Sequence, residues 1–270
     1  MKSEETSLYK CKLCGKYYSN KEMSDEHYPA KCVGNDDVVL FDMPKMVEMF
    51  FSNEMAYEIS KRLKQNKNFY EIAEEIFDTK LSKPLYPNGR TARTLCRKCN
   101  SFLGGYDQVY SKFFKADGNP NIIKGFSIES KYKIIKSIYA KFLSIPEASN
   151  ETFDFVDFVR NESIREYNGC WNLYFIKRNN TTDILGIKNI ETGKLNFNEG
   201  TVYEFSDEKF IYNLINFEKH ACYKMTNIFD ILDKKYVLVE GLGNSDGYHA
   251  QLMLQNMFSS MEDEEINKDR

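Results

Sequence analysis

Thr91-Ala92-Arg93-Thr94-Leu95-Cys96-Arg97-Lys98-Cys99-Asn100 changes character at its centre. Arg90 to Leu95 reads as a strand and Arg97 onward as a helix, so a Cys-x-x-Cys knuckle sits at the junction. A second knuckle, Cys11-Lys12-Leu13-Cys14, lies near the start of the chain. Tetrahedral Zn²⁺ takes four thiolates readily, and a two-residue spacer lets each clip offer two sulfurs to one ion. Cys11, Cys14, Cys96 and Cys99 are therefore the expected zinc ligands. Four cysteines leave no open coordination position, so this zinc is expected to be structural. Between the knuckles stands Asp25-Glu26-His27-Tyr28-Pro29, and Asn100 follows the last cysteine. Glu26, His27 and Asn100 are the candidates for a second, catalytic site beside the zinc.

The order Cys-x-x-Cys, Glu26-His27-Tyr28-Pro29, Leu95-Cys96-Arg97-Lys98-Cys99-Asn100-Ser101 resembles the HNH endonucleases, also called ββα-metal or His-Me finger nucleases. It is most similar to the branch whose zinc-binding cysteine pairs bracket the active site, as in the phage recombination endonuclease VII type. The resemblance covers residues 8 to 35 and 88 to 110. It implies hydrolysis of DNA phosphodiester bonds, with His27 as general base and one Mg²⁺ or Mn²⁺ held by Glu26 and Asn100. An imidazole suits that role, because its ordinary pKa of ~6.5 lets it accept a proton near neutrality. Asp25 is an alternative to Glu26, and Asn100 has a common alternative role in bonding the backbone at a helix start. Many members of the family carry a further asparagine shortly before the second knuckle, which holds the loop bearing the base. Here Thr91 or Asn88 are the expected substitutes. Arg90, Arg93, Arg97 and Lys98 are expected to grip phosphates, a geometry that guanidinium forks match well.

The fold expected is α+β: an N-terminal zinc-stabilised ββα-metal module over 1–118 with a helical insertion over 36–87, then a C-terminal α+β domain over 119–270 serving recognition or regulation. In the insertion, Pro44 opens a helix carrying Met46, Met49, Phe50, Tyr57 and Leu63. Asn68 caps a second, with Phe69, Ile72, Ala73, Ile76 and Phe77 on one face. Leu81 to Gly89 reads as a loop. Gly104-Gly105 is expected to end the helix after the second knuckle, with Asp107 capping the next. Beyond it, Glu129 to Leu143 reads as a helix with one apolar face, stopped by Pro146, and a shorter helical stretch follows around Phe153 to Val159. Strands are expected at Cys170–Arg178, Asp183–Ile190, Thr201–Phe205 and Phe210–Ile215, with hairpin turns at Asn179-Asn180 and Thr192-Gly193.

Composition narrows the class. With 42% hydrophobic and 29% charged residues, the 270-residue chain is neither disordered nor fibrous. No apolar run approaches the ~20 residues that span a bilayer, and the first residues lack the apolar stretch of a secretory signal. No membrane association and a cytoplasmic location are expected. Seven cysteines, an odd number, suit reduced thiols better than a disulfide framework. Cys32, Cys170 and Cys222 are expected to be small buried side chains, with Cys32 a spare zinc ligand. The net charge is −3, but Lys80 to Lys136 holds 12 basic residues against 3 acidic ones. That local excess suits a DNA partner. A protein partner, a homodimer or a gated nuclease effector, and a zinc-stabilised nucleic-acid-binding module without cleavage, remain open alternatives.

Overall fold

The computed structural model describes residues 8–35, 38–178, 192–241, 248–249, 251–252 and 255. The protein is α+β, and its chain divides into two compact units, one built from 1–36 with 89–252 and the other containing Asp37–Asn88. Strands β1 (Leu8–Lys10) and β2 (Tyr17–Ser19) form an antiparallel ribbon whose connection is the first knuckle. Gly15 turns that connection at φ +73°, where a side chain would be strained, and its N–H donates to Cys11 O at 2.8 Å. Strand β3 (Met23–His27) carries the acidic-His pair, as the sequence predicts.

The inserted unit holds more elements than its sequence suggests. It contains β4 (Val38–Phe41), α1 (Met43–Phe51), α2 (Glu54–Leu63), α3 (Phe69–Ile76) and β5 (Ser82–Tyr86). The single predicted first helix is two, broken at Asn53, whose φ of +60° is a conformation asparagine tolerates better than most residues. Asn68 caps α3 as expected, in a reciprocal box with Glu71. The predicted loop after Leu81 is instead β5, paired antiparallel with β4. Pro84 hides that strand from a propensity argument, yet a two-stranded ribbon has only edges, and edges accept proline. Met46, Met49, Ile72, Ile76 and Leu81 form the unit's core, whereas Phe50, Tyr57, Leu63 and Phe69 are exposed. So small a unit has too little interior to cover every apolar residue on a helical stripe.

The chain then enters β6 (Thr91–Cys96), which pairs antiparallel with β3, and passes directly into α4 (Arg97–Lys115). Gly104-Gly105 does not end this helix. Each helical glycine costs about 1 kcal/mol. Against that, α4 buries Leu103, Tyr106, Tyr110, Phe113 and Phe114, at about 1.5–3 kcal/mol for each large apolar side chain. The five outweigh the two.

Helix α5 (Ile128–Lys141) packs on α4 and is followed by α6 (Val156–Arg160). Rather than one apolar face, α5 buries every residue from Ile134 to Lys141, including Lys136 and Lys141. Strands β7 (Asn172–Lys177), β8 (Thr192–Asn196), β9 (Thr201–Ser206), β10 (Phe210–Ile215) and β11 (Thr226–Asn227) form an antiparallel sheet in the order β11-β7-β10-β9-β8. Three predicted strands are thus β7, β9 and β10. Thr192-Gly193 lies within β8 rather than at a turn; the chain reverses at Phe197–Gly200, where Phe197 N donates to Gly200 O at 2.8 Å. The predictions for Asn179-Asn180, Asp183–Ile190 and the tail Glu262–Arg270 fall outside the described residues.

Strand β10 is buried throughout, and its alternation splits two cores: Phe210, Tyr212 and Leu214 join one, Ile211 and Ile215 the other. The first of these cores runs without interruption from Cys11 and Leu13 through Tyr106, Phe113 and Tyr139 to Phe205 and Ile231. It therefore crosses residue 118. Trp171 is buried between the rings of Phe153 and Tyr203, where it supplies packing area. No helix among the described residues is long and apolar enough to cross a membrane.

Candidate metal centre and the adjoining ββα site

The four knuckle cysteines meet. One ligand atom from each of Cys11, Cys14, Cys96 and Cys99 lies within 4.8 Å of the others, and no other such group occurs among the described residues. Zn–S bonds of about 2.3 Å in a tetrahedron place sulfurs about 3.8 Å apart, so the donor set fits zinc. Backbone bonds hold the two knuckles in register. Lys12 N donates to Thr94 O at 2.9 Å, and Cys96 N donates to Cys11 Sγ at 3.3 Å. Burial pushes the Cys11 and Cys99 thiols up. Burial would raise Cys14 too, but bonds from the Lys16 amide, the Tyr18 hydroxyl and neighbouring thiols bring it down to about 7. Cys32 lies outside the cluster, and it, Cys170 and Cys222 are exposed rather than buried.

Beside the cysteines, β3 and β6 are irregular. The pairs Met23↔Cys96 and Ser24↔Leu95 give way to Glu26↔Ala92 and His27↔Thr91, so β6 carries an extra residue opposite Asp25. Along β3, Met23 and Glu26 are buried and Asp25 is exposed. Asp25 is accordingly an ion-pair partner, accepting from Arg93 Nε at 2.7 Å, and this bond to Arg93 is the main cause of its lowered pKa. His27 ends β3, half-buried. Asn100, in the first turn of α4, donates from Nδ2 to Ser24 Oγ at 2.7 Å, which ties the helix to β3 and leaves the amide oxygen for another partner.

Asn35 joins the ends of the two strands. Asn35 is fully buried; its Nδ2 donates to Pro29 O at 2.7 Å and to Arg90 O at 3.0 Å, and its Oδ1 accepts from Arg90 N at 2.6 Å. The ends of β3 and β6 are thereby clamped by one side chain. Gly89 is required beside it, since a Cβ there would lie 2.0 Å from Asn35 O.

Glu26 points away from solvent and forms an ion pair with Lys141 of α5. Lys141 Nζ also lies 2.7 Å from Asp107 Oδ2, and Ser137 Oγ donates to Asp107 Oδ1 at 2.7 Å. Asp107 thus serves an ion-pair centre rather than a helix cap. Burial pushes Glu26 up, and Asp107 adds to that, against the attraction of Lys141. Burial alone would lower Lys141, but the two carboxylates outweigh it and hold the ammonium charged, above its ordinary range. The Oε1 atom of Glu26, the residue expected to ligate a divalent cation, is thus bonded to Lys141.

Of the expected phosphate contacts, Arg97 and Lys98 are exposed on the first turn of α4. Arg93 is bonded to Asp25 and Asn20, and Arg90 Nη1 donates to Thr192 Oγ1 at 3.2 Å.

Comparison of the chain with models of known protein families, with curated proteins and with solved structures gave no match. Two residues of the site escaped the sequence reading. Lys141 carried a signal, being a charged residue in the otherwise apolar run Ile138-Tyr139-Ala140-Lys141-Phe142-Leu143. Asn35 carried none beyond its place after the turn at Gly34.

Proposed function

We propose that the protein is a zinc-stabilised ββα nuclease that hydrolyses phosphodiester bonds in DNA, with His27 accepting the proton of the attacking water. The observation that carries this reading is the joining of β3, β6 and the start of α4 around four cysteines, from segments 68 residues apart between His27 and Cys96. The base candidate stands on β3, the strand to which Asn100 of α4 is tethered. In this reading Arg97 and Lys98 meet the phosphate backbone, Asn35 fixes the strand ends that bear His27, and the zinc keeps the ribbon against α4. A divalent cation, where bound, would neutralise charge on the scissile phosphate. The test is cleavage of supercoiled, linear, branched and single-stranded DNA, and of RNA, with and without EDTA. His27→Ala should keep its zinc and fold yet lose cleavage, and full activity in that variant removes His27 from the mechanism.

A second reading, a zinc-stabilised nucleic-acid-binding module without cleavage, is favoured by the Glu26–Lys141 ion pair. It predicts DNA retention by the wild-type protein with no product on any of these substrates.

A further inference from the structure

The Glu26–Lys141–Asp107 centre is built from three elements that the sequence separates widely. Strand β3 supplies Glu26, α4 supplies Asp107, and α5 supplies Lys141 together with Ser137 one helical turn earlier. Ser137 and Lys141 share one helix face and serve the two oxygens of Asp107. Asn100 and Asp107, seven residues apart on α4, share another, so the centre adjoins the site proposed above. The Lys141 side chain is 4% exposed and that of Glu26 5%.

We infer that the Lys141 ammonium is the resident cation of this centre, closing Glu26 and Asp107 to the divalent ion that the ββα resemblance implies. Two carboxylates and one ammonium leave a single net negative charge. A divalent ion added on the same oxygens would reverse that sign inside a buried site, with two cations facing each other across shared ligands. Lys141 has no easy way out, because α5 is buried on every side around it and a displaced ammonium would have to lie unpaired in an apolar interior. Removing the ammonium while leaving both carboxylates should have the opposite effect: two hard oxygen donors left without their cation are ligands of the kind that Mg²⁺ and Mn²⁺ accept. The inference concerns cation binding and stands whether or not His27 is a base.

The experiment is Mn²⁺ titration, followed by electron paramagnetic resonance, of zinc-loaded full-length protein in wild-type, Glu26→Gln, Lys141→Met and Lys141→Met/Glu26→Gln forms. Wild type should show no saturable site that depends on Glu26. Lys141→Met should gain one ion per chain, at least about tenfold tighter, and the double variant should lose it. A wild-type site abolished by Glu26→Gln overturns the inference, as does a folded, zinc-bearing Lys141→Met protein that binds no Mn²⁺. Should Lys141→Met fail to fold, the wild-type Lys141 Nζ resonance in nitrogen-15 NMR decides. Ammonium protons that stay protected in millimolar Mg²⁺ uphold the inference, and their loss on adding Mg²⁺ overturns it.

Discussion

The ββα region and the inserted unit Asp37–Asn88 hold themselves together in opposite ways. In the first, strands of a few residues are fastened by groups distant in sequence: four thiols, the Asn35 clamp, the Asn100–Ser24 bond and the Lys141 centre. In the second, local devices dominate. Asp42 and Asn68 cap helices, five side chains make a small core, Glu58 pairs with Arg62 one turn on, and Arg62 with Glu75 of the next helix. The difference teaches that a ββα module can tolerate a long insertion, because its closure does not depend on the intervening chain. Loop length adds only slowly to the entropy of bringing β3 and β6 together, and a metal shared by the four cysteines would offset that cost.

The strongest way to break the comparison is Cys96→Ser. It should strip zinc and unfold the ββα region, since structural zinc contributes on the order of 10 kcal/mol in small domains, while leaving helical signal from the insertion. Zinc content and thermal melting check this, and a variant with unchanged values of both removes the metal from the account. Asn35→Ala comes next. It orphans two buried carbonyls and one amide, so a loss of about 3 kcal/mol or more is expected in chemical denaturation, with cleavage falling further than stability alone explains.

Acid titration sharpens the contrast most gently. Asp207, buried beside Tyr110 at the β9–β10 turn, is pushed up to about 6, chiefly by burial. Its folded pKa lies above its unfolded value, so its contribution is present at low pH and is lost as pH rises through about 6. The difference is no more than about 3 kcal/mol. Glu54, Glu58 and Glu75 of the insertion are shifted the other way, each first by a bond to a lysine or arginine. What they contribute is present at neutral pH and lost as pH falls through their lowered pKa. Residue-resolved hydrogen exchange across pH 3 to 7 should therefore find the insertion loosening on acidification. Asp207→Asn should remove the opposing slope in the β9–β10 region, and an unchanged slope would place it elsewhere.

Legibility followed the range of the interaction. The capping of α3 by Asn68, the start of α1 at Pro44 and the strand-to-helix switch at Cys96 were readable because each is decided within one or two turns of chain. The two-residue cysteine spacing was readable for the same reason. Gly104-Gly105 misled because a local rule was outvoted by the apolar face of α4, and Pro84 misled because edge strands accept what central strands reject.

The sequence by itself determined the α+β class, the four cysteines that converge and the segment that carries Glu26 and His27, since these rest on residue type and short spacing. Only the tertiary structure decided that Glu26 is buried, that Asn35 bridges the strand ends, and that Lys141 lies between two carboxylates. The physical reason is that the elements packed against a strand decide which of its side chains are buried, and partners 115 residues apart leave no periodic trace in the chain.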